Sequence, residues 1–307
     1  MSAETIVDWL ETDVRPKVDR RIDDHLSECR YGDRLQYQLE QGGKRVRPGI
    51  VLAVGDLCGL DEERQVALAA GVELLHTFTL VHDDVMDEDC ERRGSPTVWK
   101  KWDVPTAVNV GNLLCASAFT VLPRGVRGEA ARCLVTTGIG NQTDMDHCSS
   151  DRMSEQEYLR MAEQISAPLL DFAAKAPAAL TGADVSLEDM SDLGLAYTIQ
   201  DTIMDFDPSK GKAQIGNDVR AGKQTIMVIH ADDPRVYDVL EKPFEETTDE
   251  DVQFVYEIFR ENGSIEYARK IADDYVSSTI QCIERLPQSE PKERLLGICA
   301  LVQRRTQ

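Results

Sequence analysis

Two aspartates four residues apart on a helix share a face, and they repel one another unless a cation joins them. Residues 83–87 read Asp83-Asp84-Val85-Met86-Asp87, which puts Asp83 and Asp87 in that relation, and Glu88 and Asp89 deepen the charge. Hard carboxylate oxygens suit Mg2+, which takes one or two carboxylates and fills its shell with water and phosphate oxygens. Arg92-Arg93-Gly94 follows shortly after. Arginine carries the planar fork that fits a phosphate. The order therefore implies an anion bridged by metal on one side and guanidinium on the other; a solvated acidic helix end is the blander reading.

A second group is Gly42-Gly43-Lys44-Arg45-Val46-Arg47-Pro48, with three cations in four residues. The glycines free the backbone for close approach to a ligand, and the proline fixes the chain beyond it. A diphosphate is the natural ligand; a basic helix start is the alternative. A third group repeats the first: Asp201 and Asp205 are again four apart, followed by Lys212 and by Lys223 within the stretch Gly216–Thr225. Two such carboxylate pairs on separate helices, each trailed by cations, imply a metal cluster that holds one polyanion.

These groups need helices to present them. Leu68, Val72, Leu75 and Thr79 fall on one line, which predicts a helix over 63–87 with the first carboxylate pair at its C-terminal end. Ile6, Trp9, Leu10 and Val14, and later Val252, Phe254, Val255, Ile258 and Phe259, recur at helical spacing too. Ile226–Ile229 is the only strand-like run, too short to build a sheet. Length alone suggests two domains at ~100–200 residues each. With no repeat, linker or composition shift, one all-α domain over residues 1–307 is the economical expectation.

The charge balance limits the partners. With 34 basic and 55 acidic side chains the net charge is −21, a field that repels nucleic acid and anionic membrane surfaces. No block of like charges forms an acidic tail. Lysine is scarce, 11 against 23 arginines. That composition fits a halophile's cytoplasmic protein, with an ordinary acidic protein as the other reading. The cysteines are scattered and none has zinc-site spacing. The start of the chain, MSAETIVDWLETDV, has no signal-peptide character. No run of about 18 apolar residues occurs, so no transmembrane segment is expected.

The Gly42–Pro48 segment, Glu73-Leu74-Leu75-His76 through His82-Asp83-Asp84, Arg92-Arg93-Gly94-Ser95-Pro96-Thr97, Gly216–Thr225 and Gly263–Ala268 stand in one order along residues 40–270. In this the chain resembles the trans-type isoprenyl diphosphate synthases, the archaeal geranylgeranyl diphosphate synthases in particular. The resemblance implies an all-α, isoprenoid-synthase-type domain around a deep central cavity, in a homodimer or in a heterodimer with a paralogue. It implies Mg2+-dependent condensation of isopentenyl diphosphate with an allylic diphosphate by ionisation, attack and proton loss. Asp83, Asp87 and Asp201 would bind Mg2+. Lys44, Arg47, His76 and Arg93 would hold isopentenyl diphosphate, and Arg92 the allylic diphosphate. Ser166, Lys212 and Lys223 would add substrate contacts. Phe78 and Thr79, just ahead of the first motif, would set product length at about C20, geranylgeranyl diphosphate.

The chain also departs from the family's pattern. Thr202 stands where the second motif has its middle Asp, Thr198 where Gln is usual, and Ile165-Ser166 where Lys-Thr is usual. An apolar residue in place of the lysine removes an interaction that grows as a leaving group gains charge. Two expectations follow: an active synthase with an altered allylic side, or a catalytically impaired homologue serving as regulatory subunit of an active synthase.

Overall fold

The computed structural model describes residues 3–27, 29–147, 152–185, 187, 189–207 and 215–304. The fold is all-α, as expected. The described strands are two-residue pieces, Glu91–Arg92 (β1) and Ser95–Pro96 (β2), paired antiparallel with Glu91 opposite Pro96.

The chain divides into two compact units, each discontinuous in sequence: Met1–Cys133 with Leu169–Glu188 and Cys282–Leu301, and Leu134–Pro168 with Asp189–Gln281 and Val302–Gln307. In the first unit lie α1 (Arg15–Leu26), α2 (Gly32–Glu40), α3 (Val46–Leu57), α4 (Glu62–Met86), α5 (Val98–Lys101) and α6 (Val104–Val121). The long helix α4 begins where Asp61 caps it, accepting from the Arg64 N–H at 3.0 Å. It packs against α1, α3 and α6, and Leu68, Leu74 and Leu75 are fully buried. Helix α3 carries apolar residues all round, and Ile50, Val51, Leu52, Ala53 and Val54 are buried. Gly71 on α4 admits a neighbour closely: a Cβ there would stand 2.5 Å from Leu122 Cγ.

Helix α6 qualifies the expectation about membranes. It contains no charged residue and is long and apolar enough to cross one by length and composition, with a third of its span buried. A search for an unbroken apolar run misses it because threonine, asparagine, serine and glycine interrupt the pattern.

The second unit includes α7 (Met190–Met204), α8 (Asn217–Arg220), α9 (Ile226–Ala231) and α10 (Asp249–Glu261). Thr248 and Asp251 form a capping box at the start of α10. That helix buries Val252, Val255, Ile258 and Phe259 of the line read from the sequence, whereas Phe254, between them, is exposed. The run Ile226–Ile229, read as strand-like, is helix α9 instead. Ile226, Met227 and Val228 are almost wholly buried, and a short buried apolar run looks the same in a strand and in a helix.

Candidate active site

The first carboxylate group sits at the end of α4, where the helix dipole is already negative. No basic residue lies in that last turn. Asp83 and Asp87 are half-buried, and the Asp87 N–H closes the helix on the Asp83 carbonyl at 2.8 Å. Asp84 turns inward and is fully buried. Burial pushes its carboxyl up to about 6, against the opposing pull of Arg92. Arg92 meets it with Nε at 2.7 Å and Nη2 at 2.6 Å on Oδ1. The Asp84–Arg92 pair thus sets the orientation of the turn, and Asp83 and Asp87 remain as its outward oxygens.

The hairpin after the motif delivers that arginine. Arg93 and Gly94, between β1 and β2, both have positive φ, 56° and 74°, the conformation that tight two-residue hairpins require. Thr97 Oγ1 and Trp99 Nε1 each donate to the Asp89 carbonyl at 2.8 Å, which fixes the strand's approach. Arg92 therefore points back to α4. Arg93 reaches the Gly42 carbonyl in the basic loop.

That loop is built for close contact. A Cβ on Gly43 would stand 2.9 Å from an Arg93 guanidinium nitrogen. Lys44 is exposed, Arg45 is buried and Arg47 is half-buried. Arg47 Nη1 lies 3.1 Å from His76 Nε2. Desolvation holds His76 well below the ordinary imidazole range, and the cations Arg47, Arg93, Arg92 and Arg45 lower it further. A neutral imidazole accepts from Arg47 and adds no charge of its own. The structure so brings Arg47, His76, Arg92 and Arg93 into one electrostatic neighbourhood, with Lys44 on the same loop.

Phe78 sits one turn before His82 and meets its ring edge-on, with centroids 4.8 Å apart. Gly111 on α6 leaves room for that imidazole: a Cβ there would be 2.2 Å from His82 Nε2. Thr79 Oγ1 bonds back to the His76 carbonyl at 2.8 Å.

In the second unit the repeated pair is not a pair. Asp201 is exposed near the end of α7, whereas Asp205 is buried and accepts from the Asp218 N–H at 3.0 Å. Asp205 thereby ties the end of α7 to the start of α8. Lys223 Nζ lies 3.5 Å from Asp144. Thr202 is buried with its hydroxyl on the Ile199 carbonyl at 2.8 Å. Ser166 Oγ donates to the Ala162 carbonyl at 2.7 Å. Ile165 lies against Gly140, where an added Cβ would be 2.8 Å from its Cγ1. Lys212 lies outside the described residues.

Among the described residues no three His, Cys, Asp or Glu side chains form a ready-made metal cage. Two carboxylates suit an ion whose remaining ligands are water and substrate phosphate.

Sequence reasoning missed the Asp84–Arg92 pair, the Asp205 cap and the buried partners of Arg45. Adjacent acids give no hint of which one turns inward. Glu73, a charge inside the apolar run 67–75, was a signal that could have been used.

Residues 30–259 match the family described as Polyprenyl synthetase. The chain is similar to a geranylgeranyl pyrophosphate synthase of Geoglobus acetivorans, 31% identical over 93% of each chain. It is similar to a geranylfarnesyl diphosphate synthase of Natronomonas pharaonis, 33% identical over 86% of each. Among solved structures, a decaprenyl diphosphate synthase from Rhodobacter capsulatus superposes with a TM-score of 0.88 at 26% identity, covering 99% of both chains. The motif order, the helical architecture and these likenesses together place the chain in the polyprenyl synthetase family.

Proposed function

We propose that the protein is a prenyltransferase that condenses isopentenyl diphosphate with an allylic diphosphate, to a product of about C20, with residues 1–307 acting as one catalytic domain. The observation that carries this reading is the joint presence, in one unit, of the α4 carboxylate pair and the Arg47–His76–Arg93 cluster. One is a site for a cation and the other a site for an anion, which together suit a phosphate ester. Similarity to synthases of geranylgeranyl diphosphate supports the chain length. Nothing in the local geometry favours the regulatory-subunit alternative, since both groups of the first unit are intact.

Asp83 and Asp87, and separately Asp201, are the proposed ligands of Mg2+. Bound there, the ion would neutralise diphosphate charge and ease its departure from the allylic carbon. The chain's own groups do the rest. Lys44, Arg47 and Arg93 bind the isopentenyl diphosphate, and neutral His76 orients the Arg47 fork. Arg92, held by Asp84, presents its remaining edge toward the allylic diphosphate, and Lys223 is proposed as a further substrate contact. The allylic C–O bond breaks and its electron pair leaves with pyrophosphate. The isopentenyl double bond then forms the new C–C bond, and a proton is lost from the adjacent carbon. Fixed cations act most strongly where leaving-group charge develops.

We assign the uncharged outward face of α6 to a second copy of the chain. Val104 and Val108 are 44% and 43% exposed there. A face without charged side chains lets two chains of net charge −21 approach without like charges meeting. Sedimentation in molar KCl is expected to give a dimer mass, and a monomer at micromolar concentration would overturn the assignment.

The activity is tested by incubating the protein in molar KCl with Mg2+, labelled isopentenyl diphosphate and C5, C10 or C15 allylic primers. An extended prenyl diphosphate is expected; folded protein that extends none of the primers refutes the reading. Phe78→Ala is expected to move the product to lengths beyond that of the wild type, because the ring fills space one turn before His82. An unchanged product removes Phe78 as the ruler. Ile165→Lys restores a cation that the family usually carries, and is expected to raise turnover about tenfold, the worth of one charge-assisted contact. An unchanged rate would mean that the missing cation is not limiting.

A further inference from the structure

The middle cation of the basic loop does not face a ligand. Arg45 is 2% exposed at its side chain; its Nε donates to Asp19 Oδ1 at 2.9 Å and its Nη1 to Glu73 Oε1 at 2.8 Å. Nη1 and Nη2 also lie 3.4 Å from the carbonyl oxygens of Gly42 and Leu39. All three guanidinium nitrogens are therefore engaged inside the protein. Glu73 is buried on α4, three residues before His76, while Asp19 on α1 is one-third exposed at its side chain. The Arg45 backbone is left-handed, φ 50°, a conformation that a non-glycine residue holds only when its surroundings impose it.

The loop ahead of it would otherwise be loose. Gly42 and Gly43 have φ of 91° and 129°, open to many conformations in a free chain. Here their carbonyls are both turned onto arginines: Gly42 takes Arg45 and Arg93, and Gly43 takes Arg15. The ligand-facing cations Lys44, Arg47 and Arg93 repel one another before an anion arrives. Glu73 and Asp19 put two negative charges directly behind them.

We propose that Arg45, Glu73 and Asp19 are positioning residues that hold the Gly42–Arg47 loop and Arg93 as a preassembled cradle for the isopentenyl diphosphate. The inference rests on the function proposed above. A cradle ordered in advance lowers the ordering cost of binding. It acts on the isopentenyl side alone, since none of the three touches the α4 carboxylates or Arg92.

Glu73→Gln and Asp19→Asn test it, both isosteric, with Asp19, one-third exposed at its side chain, the less buried of the two partners. Each is expected to raise the KM for isopentenyl diphosphate at least about tenfold, the worth of one charge-assisted hydrogen bond, with the allylic KM within about twofold of wild type. Amide exchange at Gly43, Lys44 and Val46 is expected to speed up in both. Equal rises in both KM values, or a lowered Tm with no selective KM change, would overturn the proposal. A double variant, Arg45→Met with Glu73→Leu, fills the same volume without buried charge and is expected to keep its Tm. Its isopentenyl KM is expected to stay raised, and a return to the wild-type value would also overturn the idea. Wild-type protein that neither binds nor extends isopentenyl diphosphate would defeat the functional reading instead. In that case the exchange data still decide on positioning, because unchanged exchange in the variants refutes it.

Discussion

Carboxylates crowd the one end of α4 where the backbone already supplies negative charge. Asp83, Asp84, Asp87, Glu88 and Asp89 follow within seven residues of a helix terminus whose carbonyls point the same way. Nothing about helix stability favours this, so each acid needs a cation or water. The fold answers by dividing the acids. Asp84 goes inside and takes Arg92, while Asp83 and Asp87 keep their oxygens toward the surface. Breaking the buried pair would leave an unpaired charge in the interior, typically a loss of about 3–5 kcal/mol. The hairpin β1–β2 and the positive φ at Arg93 are what that pairing demands of the chain.

The same hairpin makes the second connection. Arg93, next to Arg92, reaches the basic loop and brings a cation beside His76 and Arg47. The basic loop and the acidic end of α4 are thereby linked through two adjacent arginines, one directed each way. A chain of net −21 can still hold a locally positive cluster by this means, because the relevant field is local. At molar salt the Debye length is about 3 Å, so distant surface acids are screened while partly buried groups keep their interactions.

The main helix was legible in the sequence almost to the residue: 63–87 expected, Glu62–Met86 observed. Its apolar line and its Asp61 cap are local signals. The motif residues of the basic loop and the α4 terminus were legible as chemistry because residue type and spacing carry it. What could not be read was direction. Asp201 and Asp205 have the same spacing as Asp83 and Asp87, yet Asp205 faces a backbone amide thirteen residues on. Arg45 sits between Lys44 and Arg47, which are exposed and half-buried, and is turned inward by Glu73 and Asp19. Both outcomes depend on partners distant in the sequence, which spacing does not encode. The run at Ile226 failed for another reason, since burial on all sides erases the period that separates strand from helix.

The departures on the second unit's side have a shared physical character. The usual lysine gives way to Ile165 and the usual middle aspartate to Thr202, one cation and one anion, so the charge balance there is the same as before. The replacement side chains are accommodated, but the Gln200 amide, two residues before Thr202, and the Tyr158 hydroxyl are buried with no hydrogen-bond partner among the described residues. Ile165 packs where Gly140 has no side chain, and the Thr202 and Ser166 hydroxyls bond to carbonyls of their own helices. Random decay of a charged site tends to strand one partner of an ion pair, at a cost the fold would register. Here the space beside Gly140 is filled, while a buried amide is left unpaired. Filled space at Ile165 and an unpartnered amide at Gln200 thus stand together in the second unit, where the packing is repaired and the polar pairing is not.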